Sequence, residues 1–392
     1  MKRILNWSLA TVLSQIPLFQ SSIPDLDDQS WIQRWTAVGD SYASGLGTGL
    51  RLDYGCSRYA GGYPNLMETD ERFGLNPNRT FQYLACSGLK STEILTKQVP
   101  HVLDNQDLIT ISAGGNDVAL GDVLDSCIFQ WKHGNSARCD AALVRSQELI
   151  DTVLETNVDL LIDSLVTKLS PNGRIYYPGY AQFFGDSVSC NNISWSVWPR
   201  MPPSDRQNLT IERRVRMNHM VSQVNKKLKQ SIDKAGENVI FIDWDWTFAQ
   251  AGGRFCENGT REPAPQRQGL LFFEWNTMDD GDDPNLLIRP GDPVPSDSFE
   301  GDIGKWVLET LTKHPDWQFG PVGTEPIAIY PAVMERLIDS QGLRAQLGFD
   351  DYVFWFLPDS WKRVFHPRAL GQRLIADMII HAMAVEKANM VF

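Results

Sequence analysis

The sequence predicts an α/β fold: three layers built on an open, doubly wound sheet of about five parallel strands. Three observations predict it. Short apolar runs recur at intervals too long for hairpins, amphipathic stretches fill the intervals, and small or polar residues follow the ends of three of the runs.

The runs are WTAVGDSY (35–42), FQYLAC (81–86), DLITISAGG (107–115), GRIYYPGYA (173–181) and NVIFIDWD (238–245). Each is almost continuously apolar and rich in β-branched or aromatic residues, as parallel strands covered on both faces must be. Residues 141–170 space apolar residues three and four apart, which predicts one long helix or two abutting ones. Residues 208–235 predict a charged amphipathic helix stopped by Gly236. A last helix starts at about Pro367, where the fixed φ of proline suits a first turn. This succession predicts a flavodoxin-like sheet, in which ligands bind beyond the carboxyl ends of the strands; Ser41, Gly88 and Asn116 all follow such ends. Residues 31–392 read as a single domain, with an insertion at about 258–360 before the last helix. Within it 279–302 is acidic and rich in Pro and Gly, while 304–314 and 332–343 suggest short helices, either a cap over the site or a surface elaboration.

Lys and Arg total 36 against 48 Asp and Glu, a formal charge of −12. That balance argues against a nucleic-acid partner and against attraction to anionic membranes. The N-terminal MKRILNWSLATVLSQIPLFQSS has a basic start and an apolar stretch, so residues 1–22 read as a signal peptide. No later stretch reaches the ~18 apolar residues of a membrane span, which predicts no stable membrane insertion. The six cysteines, Cys56, Cys86, Cys127, Cys139, Cys190 and Cys256, form no CxxC and no zinc spacing. An even number suits three disulfides in an oxidising compartment. Fifteen pairings are open; the sequential one is preferred, because Cys56 and Cys86 flank one strand unit and Cys127 and Cys139 close a short loop. Sequons at Asn78, Asn192, Asn208 and Asn258 add to a secreted, glycosylated reading. The Asp279–Asp283 cluster lacks the spacing of a calcium loop, and no metal is expected.

The first strand exit, WTAVGDSYASGLGTG (35–49), admits two chemistries. Gly45, Gly47 and Gly49 suggest a phosphate cradle, but Leu50 stands where the third glycine of a dinucleotide fingerprint belongs. RLDYGCSRYAGGYP, which follows, starts no helix to receive a phosphate, so no nucleotide cofactor is expected. The other reading makes Ser41 a nucleophile. A Gly-x-Ser-x-Gly elbow is absent; instead the chain shows Gly39-Asp40-Ser41-Tyr42, ACSG ending at Gly88, GGND containing Asn116, and FHP containing His366.

These four blocks, in this order, resemble the SGNH hydrolases, the GDSL esterase/lipase family. The resemblance implies that Ser41 attacks an ester carbonyl and that His366 accepts and returns the proton. It also implies an oxyanion hole made of the backbone N–H groups of Ser41 and Gly88 and the Asn116 side-chain amide. A neutral amide donor stabilises negative charge without titrating. Asn116 is also placed to cap a helix starting near Asp117. Of the histidines, His101, His133, His219, His314 and His381 compete less well, because only His366 precedes a helix near the C-terminus in an apolar setting.

Family members often carry Asp three residues before the histidine; Arg363 stands there. A subgroup of extracellular esterases with three disulfides, which YLACSG and GRFCENG resemble, orients the histidine through a backbone carbonyl. The carbonyl of Arg363 is then the expected partner, giving a dyad, with the Asp359 side chain as its rival. Asp40 and Asp117 read as anchors for the loops of Ser41 and Asn116. Tyr42, Tyr63, Trp195 and Trp198 suit an acyl pocket, a sugar platform or ordinary core. The function expected is a secreted, monomeric serine esterase without cofactor. Its substrate would be a small-molecule or polymeric ester, either a lipid acyl ester or an acetyl ester of polysaccharide. The alternatives are an acyltransferase at the same site and a catalytically silent binding protein.

Overall fold

Five parallel strands form the middle layer of the computed structural model, which describes residues 29–53, 55–74, 76–130, 136–195, 206–274, 277 and 362–391. They are β1 (Arg34–Gly39), β2 (Thr80–Tyr83), β3 (Gln106–Ser112), β4 (Leu169–Pro178) and β5 (Val239–Ile242), in the order β2-β1-β3-β4-β5. All four pairings are parallel. Because the chain leaves β1 toward one edge and β3 toward the other, the switch point lies between these two strands, where Gly39 pairs with Ser112.

The strand composition follows from coverage on both faces. Every residue of β1 after Arg34 is buried, and so are the last five residues of β3. Helices α1 (Tyr63–Glu68) and α6 (Ala369–Val391) cover one face. Helices α2 (Ser91–Lys97), α4 (Leu154–Val166) and α5 (Ile211–Ala235) cover the other, with α3 (Ser136–Thr152) packed on α4 and α5. The stretch 141–170 thus resolves into two helices, interrupted at Val153. In α4 Leu154, Val158, Leu161, Ile162 and Leu165 form the buried stripe that the spacing implied. The hydroxyl of Thr210 caps α5 by accepting the Arg213 N–H, and Gly236 ends it at a φ of 96°.

Strand ends shift by a few residues. β2 stops at Tyr83, although the N–H groups of Leu84 and Cys86 still donate to Ala37 and Gly39. β4 begins at Leu169, whose pairing with Gln106 precedes a shift of register. All six cysteines are bridged, as Cys56–Cys86, Cys127–Cys139 and Cys190–Cys256. No helix among the described residues is long and apolar enough to cross a membrane.

The described start of the expected insertion has no helix; its end bridges onto the last turn before α6, Phe273 to Val364 and Phe272 to Pro367. The N-terminal segment 1–22, the short helices at 304–314 and 332–343, the Asp279–Asp283 cluster, Trp198, His133, His314 and Asp359 lie outside the described residues.

Candidate active site

The chain leaves β1 through Gly39, at a φ of 136°, where any side chain would run into the Ser112 carbonyl across the switch point. Gln98 brackets this glycine: its amide oxygen accepts the Gly39 N–H and its amide nitrogen donates to the Gly39 carbonyl, both at 2.8 Å. Ser41 is presented two residues later. The glycines that follow are places of close approach. A side chain at Gly45 would meet Gly62, and one at Gly47 would meet the stem of Arg363.

Ser41 Oγ lies 2.6 Å from His366 Nε2, across 325 positions of sequence, and both residues are largely buried. The other ring nitrogen, Nδ1, lies 3.2 Å from the carbonyl oxygen of Val364. The expected partner was the carbonyl of Arg363, and the structure corrects this. That carbonyl accepts the backbone N–H of His366 at 2.8 Å, closing a tight turn. Within the turn Phe365 takes a φ of 65°, a left-handed conformation that costs a non-glycine residue roughly 1–3 kcal/mol and needs firm surroundings. It has them. The Phe365 N–H donates to the Phe273 carbonyl at 2.9 Å, and the Tyr42 hydroxyl donates to the Phe365 carbonyl at 2.8 Å. The ring packs against Phe255 and Phe183, with centroids 4.8 and 5.0 Å away. The Arg363 guanidinium turns away from the imidazole, donating to the carbonyls of Gly47 and Thr277 over the Phe273 ring. His101, His219 and His381 are exposed on helices and take no part.

Gly88 has a φ of 83°, and its N–H, like that of Ser41, has no partner among the described residues. The loop is fixed just before it: the Ser87 N–H donates to the Cys56 carbonyl, the Ser87 hydroxyl to the Ser57 carbonyl, and Cys86 is bridged to Cys56. Asn116 caps no helix, for the next helical turn begins at Leu120 without a side-chain cap. Its amide donates one N–H to the Leu89 carbonyl at 3.0 Å, and the second N–H makes no bond among the described residues. Asp117 accepts from the Ser91 N–H, the Ser91 hydroxyl and the Asn157 amide, each at 2.9 Å, which ties the Asn116 loop to the helix after Gly88.

Asp40 accepts the Tyr42 N–H at 3.0 Å and the Tyr180 hydroxyl at 2.7 Å. Burial pushes its carboxyl up to about 7, outweighing the hydrogen bonds from Tyr180 and Tyr42 that favour the ionised form. Between its ordinary value of 3.8 and about 7 the folded chain keeps a proton that the unfolded chain has lost. Stability from this group therefore falls as pH rises through that window. Asp40→Asn is expected to flatten the decline of unfolding free energy between pH 4 and 7, measured by denaturant titration. A slope equal to that of the wild type would contradict it.

Ser41, Gly88, Asn116 and His366 line one cleft of about 350 Å³. Its walls also carry Lys90, Arg145 and Lys362 together with Asp40, Glu93, Asp117 and Asp122, so both signs of charge line it. Beside it lies a smaller chamber of about 50 Å³, walled by Val118, Ile150, Phe183, Met217 and Met220. The two share Gly115, Leu120, Leu124 and Tyr180. Of the aromatics singled out in the sequence, Tyr42 lines the cleft, whereas Tyr63 and Trp195 belong to the core. Val364 and Tyr180 went unnoticed in sequence, although Tyr180 stands just past the β4 end, where the rule for strand ends places ligand-facing residues. Among the described residues no group of His, Cys, Asp or Glu could hold a metal ion.

Residues 37–262, more than half of the chain, match the GDSL-like lipase/acylhydrolase family. The chain belongs to that family. It is 30% identical over 158 residues to a lipase of Streptomyces rimosus, a match covering 40% of this chain and 55% of that protein. It is 27% identical over 162 residues to Lipase 1 of Streptomyces coelicolor, covering 41% and 57%. The matched stretch thus spans little more than half the length of these relatives. Among solved structures, the extracellular lipase of Streptomyces rimosus aligns with a TM-score of 0.47 at 23% identity, over 60% of this chain and 90% of that one. Phospholipase A1 of Streptomyces albidoflavus NA297 aligns with a TM-score of 0.44 at 23% identity, over 57% and 83%.

Proposed function

We propose that this member of the GDSL family is a secreted serine esterase that works through a Ser41–His366 dyad and an acyl-serine intermediate. One observation carries the reading: Ser41 Oγ lies 2.6 Å from Nε2 of a histidine whose Nδ1 faces a carbonyl. That carbonyl can only accept, so Nδ1 holds the proton and Nε2 is free to take the one on Ser41. Oγ then bonds to the ester carbon, and the carbonyl oxygen gains negative charge facing the N–H groups of Ser41, Gly88 and Asn116. The C–O bond to the alcohol breaks as His366 returns its proton to the leaving oxygen. Water repeats the sequence and releases the acid.

The apolar chamber favours an aliphatic acyl chain over acetyl as the group transferred. Three disulfides, exposed sequon asparagines at Asn78, Asn192 and Asn258, and the half-buried Asn208 support secretion and glycosylation. The name of the Streptomyces rimosus extracellular lipase points the same way.

The test is hydrolysis of p-nitrophenyl acetate, butyrate and hexanoate by the wild type and Ser41→Ala. With ~0.8 kcal/mol for each methylene buried, kcat/KM is expected to rise on the order of 10-fold from acetate to butyrate. Leu124→Trp, which fills the shared wall, is expected to abolish that rise while acetate is still cleaved. Hydrolysis no faster than that of Ser41→Ala would sink the esterase reading. Acyl transfer to an added alcohol in preference to water would replace it with the transferase.

A further inference from the structure

We infer that Tyr180 is a positioning residue: its hydroxyl couples the turn that carries Ser41 to the loop that carries Asn116, and so holds the oxyanion donors in register with the nucleophile. This rests on the serine-esterase reading above.

The hydroxyl has two partners. It lies 2.7 Å from Asp40 Oδ2 and 3.0 Å from the backbone nitrogen of Gly115. An amide N–H only donates, so the hydroxyl accepts from Gly115 and its own proton points to Asp40. The other oxygen of Asp40 accepts the N–H of Tyr42, the peptide that follows Ser41. One chain of hydrogen bonds thus runs from the residue before Asn116, through a single hydroxyl and a single carboxyl, to the residue after Ser41.

The loop end of that chain depends on it. Gly114 sits at a φ of 113°, a conformation with little intrinsic preference, and a side chain on Gly115 would already press on the tyrosine ring and hydroxyl. The tyrosine end is rigid. Its backbone N–H and carbonyl are both gripped by the side chain of Asn225 on α5, at 2.8 and 2.7 Å, and its ring meets Tyr42 edge-on at 5.0 Å. Oxyanion donors act through preorganisation, and a donor that must be reset at each turnover loses much of its advantage. Tyr177 supplies the contrast. It reaches the same loop through the Ala113 carbonyl at 2.9 Å but has no bond to the Ser41 turn.

The experiment is a double-mutant cycle read on p-nitrophenyl butyrate hydrolysis. Tyr180→Phe is expected to lower kcat about 10-fold with KM within about 2-fold. In an Asn116→Ala background the same change is expected to cost less than about 2-fold, because the donor it positions is gone. Tyr177→Phe is expected to lower the melting temperature while kcat stays within about 2-fold. An equal loss from Tyr180→Phe in both backgrounds, or an unchanged kcat, would overturn the inference. Should Tyr180→Phe not fold, Asp40→Asn takes its place. An amide in that position either turns NH2 to the Tyr42 N–H, which breaks that link, or turns it to the tyrosine hydroxyl, which must then accept instead of donate and loses the acceptor for its own proton. Either way the chain is disturbed, and additivity with Asn116→Ala would overturn the inference equally. Absence of Ser41-dependent hydrolysis in the wild type sinks the esterase reading itself. Normal Ser41-dependent hydrolysis with an indifferent Tyr180→Phe sinks only the coupling.

Discussion

Ser41→Ala is expected to reduce ester hydrolysis by ~10⁴-fold or more while leaving the fold intact, and His366→Ala is expected to do about the same. In the proposed dyad the two side chains, 2.6 Å apart, act as a unit, so removing either leaves the other without a task. The double variant is therefore expected to be no worse than either single one. The hydroxyl of Ser41 is lost from a site that is otherwise held by backbone contacts, including the Leu46 N–H to the Ser41 carbonyl, and those survive the change. Circular dichroism and the melting temperature should match the wild type. Steady-state rates on p-nitrophenyl butyrate decide the point: a Ser41→Ala enzyme that keeps a tenth of its activity, or a double variant much slower than the singles, would contradict the dyad.

Asn116→Ala is the second large effect, expected to lower kcat by ~10²–10³-fold with KM little changed. The amide has two N–H groups. One is spent on the Leu89 carbonyl, which fixes the side chain; the other has no partner among the described residues, and Asn116 lines the same cleft as Ser41 and His366. In the proposed oxyanion hole the charge exists only as the tetrahedral intermediate forms, so the loss of this donor belongs in kcat. The Leu89 carbonyl loses a partner too, and a melting-temperature drop of a few degrees is expected beside the kinetic loss. A kcat within about 5-fold of the wild type, or a loss confined to KM, would remove Asn116 from the oxyanion hole.

The sheet was legible because five buried parallel strands leave five apolar runs, and the helices between them leave a period of 3.6. The order Ser41, Gly88, Asn116, His366 was legible as four short blocks, three of them at strand ends, and the structure brings those residues to one cleft. The partner of His366 was not. Which carbonyl meets Nδ1 depends on the positive φ of Phe365, and that depends on Phe273 and Tyr42, far away along the chain. No local pattern around 363–366 carries this. What the glycines at 45 and 47 are for was hidden for a related reason: they answer to Gly62 and to the Arg363 stem, contacts that the sequence of the strand exit cannot register. Asn116 invited a capping role because a helix was expected at Asp117, whereas Ala119 adopts a left-handed conformation and delays the helical turn to Leu120.

The most direct test of the Ser41–His366 dyad is covalent labelling of the folded protein with a fluorophosphonate, followed by mass mapping of the adduct. The dyad predicts one adduct, on the peptide that contains Ser41, absent in Ser41→Ala and strongly slowed in His366→Ala. A folded wild-type protein that takes no label, or takes it on a different serine, would contradict the dyad.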